Sequence, residues 1–377
     1  MFGTLEYFRT FVAMNRIVSA AALLLSILPC SAIVPDAPAF INQHANTVQG
    51  SLPRFEASLK ALENGKDTTL RILHIGDSHI QAEFVTDEVR RLLQERYGNA
   101  GRGLMPALRL AGTNQSYGYA LTCDHKPDIQ TRLLKTPWPA APGITGISVI
   151  CNEPATYSIK NEDQPFCSLD IFTGSGVQHR SFSQPTDTAA FNLGAGEALY
   201  GVYAVNGKPG VIYSAIGNNG ACFADYNKVD RFTEQTAFFR PDLIILSMGT
   251  NEGFSKMTDE AIRYSVINLA GDLRAANPDA EMLILLPMEC HINDNRFLKQ
   301  LKPDYRINNR VKEARDIIKA TAREEGIPVW DFFDIAGGDG ASAQWIDAGL
   351  MNPRDHIHLL KSGYELQARL LFDALTN

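Results

Sequence analysis

The chain carries no excess of basic residues, no metal-type cysteine spacing and no internal repeat. Past residue 32 it has no apolar run long enough to cross a bilayer. Each absence closes a class of function. With 35 Lys and Arg against 42 Asp and Glu, the formal charge is −7, so the electrostatic footprint of a nucleic-acid binder is missing. Cysteine is sparse. Cys30 lies in the leader, and Cys123, Cys151, Cys167, Cys222 and Cys290 follow at spacings that fit no zinc site. An oxidising compartment would allow disulfides, but the odd count leaves at least one thiol over, and spacing alone does not decide the pairing. What is present is an ordinary soluble composition, 45% hydrophobic and 20% charged over 377 residues, enough chain for two domains or for one domain with a large insertion.

Residues 1–32 read as an export signal. Arg16 supplies a positive flank, and 17–28 is apolar but too short to span a bilayer comfortably. Cys30-Ser31-Ala32 offers small residues for cleavage, with Met14 as an alternative start. A retained anchor and a lipoprotein are the competing readings, and Pro29 argues against the second. The mature chain is expected to be exported, to the periplasm or outside the cell, without a membrane span.

An α/β rhythm organises the rest. After one helix around Phe55, Leu59 and Leu62, strands are expected at 70–75, 210–216, 242–248, 281–286 and 327–333. Helices are expected at 84–97, 223–239, 258–276, 308–325 and 359–375. That alternation predicts a three-layer α/β domain with a parallel five-stranded sheet, built from 33–103 and 210–377. Between them, 104–209 loses helical periodicity and breaks into short β-like runs punctuated by Gly, Pro, Asn and Asp, as in an inserted all-β sandwich. Trp138, Tyr157 and Phe172 in this region suit a core better than a sugar-stacking surface. The glycine-rich run 98–103 follows a helix rather than a strand, which argues against a phosphate cradle.

Ligands of such sheets sit beyond the carboxyl ends of the strands. Three strands here end in polar turns: Gly76-Asp77-Ser78-His79, Gly217-Asn218-Asn219-Gly220 and Gly249-Thr250-Asn251-Glu252. A strand, a tight turn and a helix lift Ser78 out of the sheet as a candidate nucleophile, although Asp77 and Ser78 could also merely cap the helix. A serine hydroxyl needs a base, and the base an orienting carboxylate. Asp355-His356-Ile357-His358 supplies both, with Asp355 expected to hold Nδ1 of His358 and leave Nε2 for Ser78. His356 is the rival base. The amides of Ser78 and Gly220 and the side chain of Asn251 are candidate donors to an oxyanion. Singly, Gly220 reads as a turn residue and Asn251 as a cap; together the four clusters fall in order at the expected sheet edge.

That ordered set resembles the SGNH (GDSL-like) hydrolases, whose blocks centre on Ser, Gly, Asn and His. The matching residues are Ser78, Gly220, Asn251 and, in Asp355-His356-Ile357-His358, His358. His79 and Glu252 depart from the commonest pattern in the manner of peptidoglycan and polysaccharide O-acetylesterases, which also carry a carbohydrate-binding-like β-sandwich where 104–209 lies. The resemblance implies a flavodoxin-like fold and a metal-free, cofactor-free serine esterase that removes O-acetyl groups from a glycan through an acyl-enzyme. O-acetyl transfer with the same residues, or carbohydrate binding with vestigial catalytic residues, are the alternatives. Lipase or thioesterase activity fits less well, since no long apolar lid is evident.

Overall fold

The computed structural model describes residues 34, 36–114, 118–162, 164–295 and 302–377; the expected leader, 1–32, lies outside them. Five strands form the parallel sheet: β1 (Thr69–Gly76), β2 (Gly210–Gly217), β3 (Leu243–Ser247), β4 (Glu281–Leu286) and β5 (Val329–Asp331). Their order across the sheet is β2-β1-β3-β4-β5, the doubly wound order of flavodoxin-like folds. Every residue of β2 is buried, which explains why these strands read as unbroken apolar runs: both faces of the sheet are covered.

Alternate residues serve the two faces. Ile72, Tyr213, Ile245 and Leu283 pack with α1 (Pro53–Glu63), α3 (Phe84–Tyr97) and α6 (Lys361–Thr376). Leu73, Ile212, Ile244 and Ile284 pack with α4 (Asp259–Ala276) and α5 (Asn309–Glu324). One further helical turn, α2 (Ser78–Gln81), sits between β1 and α3. Two details differ from expectation. Val48–Gln49 adds an antiparallel edge to β5, too short to leave a periodicity. Residues 223–239 are three short helices rather than one: the first ends at Tyr226, Arg231 takes a left-handed backbone (φ 57°) just before the second starts at Phe232, and the third is a single tighter turn, Ala237–Phe239.

Between α3 and β2 the strands pair antiparallel. One sheet joins Thr188–Leu193, Ala155–Asn161 and Tyr119–Cys123. The other runs Ile129–Arg132, Ile147–Ile150, Ala198–Val205, Phe166–Thr173, Gly176–Thr186, with Gly103–Pro106 also paired to Ala198–Val205. Leu121, Tyr157, Ile159 and Phe191 from the first sheet meet Val149, Leu169, Ile171 and Val202 from the second in one core. Tyr157 stacks on Phe191 and Phe172 lies edge-on to Phe238, so both are packing residues. Residues 34–377 nevertheless pack as one unit, since Leu104, Ile144, Phe172 and Tyr203 share the core of α4 and β3. The run 98–103 lies beside the start of β2, where Asn99 bridges Val211, at the end of the sheet away from Ser78.

Register brings the three polar turns together. Gly76 pairs with Gly217 on one side and Ser247 on the other, so β1, β2 and β3 stop level with one another. The glycines let α2 press against this edge: a Cβ on Gly217 would lie 2.1 Å from the Gln81 amide nitrogen. Gly217→Ala is therefore expected to cost on the order of 3 kcal/mol through overpacking against backbone that cannot move aside. Denaturant unfolding measures this; an unchanged midpoint would show that α2 tolerates displacement.

Candidate active site

Ser78 opens α2, and Asp77 caps it, its Oδ1 accepting the His79 amide at 2.9 Å. The cap and the candidate nucleophile are thus adjacent residues with separate tasks. Ser78 Oγ lies 2.8 Å from His358 Nε2. On the other side of that ring, Nδ1 lies 3.0 Å from Asp355 Oδ2. This network assigns the tautomer: Nδ1 carries the proton toward the carboxylate, and Nε2 accepts from the serine hydroxyl. Asp355 is itself fixed by the backbone, as Oδ1 accepts the amides of Ile357 and His358 at 2.9 and 3.0 Å. The hydrogen bond His358 donates to Asp355 raises the His358 pKa above its ordinary value, with burial opposing; the same bond lowers that of Asp355 against its own burial.

His356, the rival base, points elsewhere. Its backbone is left-handed (φ 56°), and its ring stacks 3.8 Å from that of Tyr305. Tyr305 belongs to a short hairpin, His291–Asn293 with Tyr305–Ile307, that flanks the Asp355 turn.

The expected oxyanion donors divide. Among the described residues, the amides of Ser78 and Gly220 donate to no other protein group. Gly220 has φ 85°, a conformation that favours glycine, and it lines an open cleft with Leu134, Asn251, Phe254 and Met257. Asn251 is already engaged: its Nδ2 donates to Asp77 Oδ2 at 3.0 Å and to the Ala221 carbonyl at 3.1 Å. One of these bonds must be exchanged before Asn251 can serve a substrate oxygen.

A serine hydroxyl hydrogen-bonded to an imidazole, itself held by a carboxylate, can attack a carbonyl and pass its proton on. Residues 185–366 match the model of the GDSL-like Lipase/Acylhydrolase family. That match covers 182 of the 377 residues, and over it the chain is similar to the family. The matched stretch contains the Gly220, Asn251 and His358 turns; Ser78 precedes it. Among solved structures, a peptidoglycan O-acetylesterase is similar over 87% of this chain and 97% of its own, at 21% identity and a TM-score of 0.72. That likeness establishes a shared fold that includes the antiparallel sheets. A lipase/acylhydrolase from Enterococcus faecalis is 17% identical over 44% of this chain and 74% of its own, with a TM-score of 0.32. An acetyl xylan esterase is 16% identical over 44% and 81%, with a TM-score of 0.33. No curated protein sequence matches.

The candidate site has a polar surround that the sequence did not reveal. Burial pushes Asp77 up to about 7, opposed by the His79 amide and the charge of His358. Glu252 is likewise pushed up to about 7 by burial while its Oε1 accepts the Phe223 amide. Gln81 ties α2 to both neighbouring loops, donating to Thr113 and Asn114 and accepting from the Asn219 amide at 2.8 Å. His79 now has a place. Its Nδ1 lies 2.9 Å from Tyr364 Oη, and its ring is 5.1 Å from that of His358. Burial lowers its pKa to about 3, so it is a neutral neighbour of the candidate base. Its sequence signal was its position next to Ser78; its partner Tyr364 lies on α6 and carried none.

Proposed function

We propose that this chain is an exported serine esterase that removes O-acetyl groups from a glycan, peptidoglycan or another polysaccharide. The observation that carries the reading is the continuous hydrogen-bonded line Ser78–His358–Asp355 at the carboxyl edge of the parallel sheet. In the proposed reaction Ser78 Oγ attacks the acetyl carbonyl and its proton passes to His358 Nε2. Asp355 holds Nδ1 and stabilises the imidazolium that forms. The oxyanion is received by the amides of Ser78 and Gly220, joined by Asn251 once its side chain releases Asp77 or Ala221. His358 then protonates the departing sugar oxygen. Water, deprotonated by the same imidazole, attacks the acetyl-enzyme and releases acetate. Every proton move uses one histidine, and the chemistry calls for no cofactor.

The glycan is supported by the shared fold with a peptidoglycan O-acetylesterase and by the antiparallel sheets beside the site. Among the described residues no helix is long and apolar enough to cross a membrane. The direct test is acetate release from O-acetylated peptidoglycan, acetylated xylan and acetylated host glycans, with Ser78→Ala as control. Release from at least one, abolished in the control, is expected. No release from any of them, with a short acyl ester still cleaved, would remove the glycan assignment. Appearance of a newly acetylated sugar in place of acetate would turn the reading to acetyl transfer.

A further inference from the structure

The two sheets of the inserted region meet at a pair of cysteines. Cys123 ends the strand Tyr119–Cys123 of the three-stranded sheet. Cys151 follows Ile147–Ile150 of the larger one. They are 28 residues apart in the chain, yet their Sγ atoms are 3.9 Å apart. Cys151 is 2% exposed and its sulfur lies 3.3 Å from Tyr157 Oη. Cys123 is half-buried, so one sulfur of the pair is open to a reagent and the other is shielded. The two sulfurs face each other across the sandwich, and an approach of about 2 Å brings them to disulfide length, within the reach of small side-chain rotations.

We propose that Cys123 and Cys151 form a disulfide that staples the two antiparallel sheets to each other. The oxidant is a disulfide, either a small molecule such as oxidised glutathione or a protein thiol-oxidant. The Cys123 thiolate attacks it, forming a mixed disulfide and expelling one thiol. The Cys151 thiolate then attacks Cys123 Sγ and expels the second. The Sγ–Sγ bond forms, both cysteine protons leave, and the two electrons reduce the oxidant to two thiols. The ionisable groups around the pair are Asp124, whose carboxylate is 3.6 Å from Cys123 Sγ, together with His125 and Tyr157. Burial pushes the Cys123 thiol up to about 11. The thiolate is therefore scarce at neutral pH, and pairing should quicken about tenfold per pH unit between 7 and 9.

The bond would also close the chain segment that reaches the active-site edge. Thr145 lies between the two cysteines, and its carbonyl accepts Asn218 Nδ2 at 3.1 Å, in the turn that carries Gly220. The inference does not rest on the esterase reading, because it concerns thiols away from Ser78.

The test uses the purified chain, incubated with oxidised glutathione, alkylated and mapped by peptide mass spectrometry. One cross-linked peptide joining Cys123 to Cys151 is expected, with Cys167, Cys222 and Cys290 alkylated. The oxidised form should melt about 5 °C above the reduced form, as closure of a loop of this size constrains the unfolded chain. That difference should vanish in Cys151→Ser, which should still cleave a short acyl ester. Alkylation of both Cys123 and Cys151 after oxidation, or a cross-link to Cys167, would overturn the pairing. Equal melting temperatures in the two states would overturn the staple. Mapping the unaltered chain decides the first point even if a variant fails to fold.

Discussion

Ser78→Ala should lower release of 4-nitrophenol from 4-nitrophenyl acetate by at least ~10³-fold. In the proposed mechanism the Ser78 hydroxyl carries the acetyl group, and alanine leaves water alone with the imidazole. His358→Ala should lose about as much, since Oγ at 2.8 Å from Nε2 has no other base in reach among the described residues. The double variant should be no worse than either single one, because the two side chains act as a unit. Folding should be untouched: Ser78 Oγ makes one partly buried hydrogen bond, and such surface changes stay within about 0.5 kcal/mol. A Ser78→Ala enzyme within tenfold of the parent rate would end the covalent mechanism.

Asp355→Asn is the second large effect. Among the described residues, the Nδ1 of His358 has Asp355 Oδ2 as its one hydrogen-bond partner. Among the described residues no backbone carbonyl is hydrogen-bonded to that ring nitrogen to orient it in its place. The asparagine oxygen can still accept the amides of Ile357 and His358, so the turn should survive. What is lost is the charge and the tautomer, a loss of ~10³- to 10⁴-fold in rate by comparison with other triads. The pH profile separates this from a general loss of structure. A base must be neutral to act, so kcat/KM should rise with pH through the His358 pKa, which the Asp355 hydrogen bond holds above 6.5. In Asp355→Asn that support disappears, and the acid limb should move to lower pH even as the rate falls. A limb that stays in place would mean another group sets it. The limb should not be that of His79, whose burial keeps it neutral down to about pH 3.

Much of the scaffold was visible in the chain because the parallel strands are buried on both faces. Runs such as Leu243–Ser247 and Glu281–Leu286 therefore carry their own signal. Helices α3 and α5 showed their apolar stripes and ended within a residue of expectation. Weaker elements escaped. Tyr119–Cys123, Ile129–Arg132 and the hairpin at His291–Asn293 are short, and their stability comes from partners distant in sequence. The break at Arg231 depends on a backbone conformation that no residue type there announces.

The sequence by itself determined the inventory of the candidate site. Ser78, Gly220, Asn251, Asp355 and His358 stand at strand ends and a turn because a parallel sheet delivers its carboxyl ends to one edge, and the order of motifs follows the order of strands. Only the tertiary structure decided how those residues are spent. Which histidine faces Ser78 depends on the left-handed turn at His356, which hands that ring to Tyr305 and leaves His358 to the serine. Whether Asn251 is free depends on Asp77 and Ala221, which hold both its protons. The place of His79 depends on Tyr364, on a helix 285 residues further along the chain. In each case a hydrogen bond or ring contact between groups far apart in sequence makes the choice, and local pattern carries no record of such a contact.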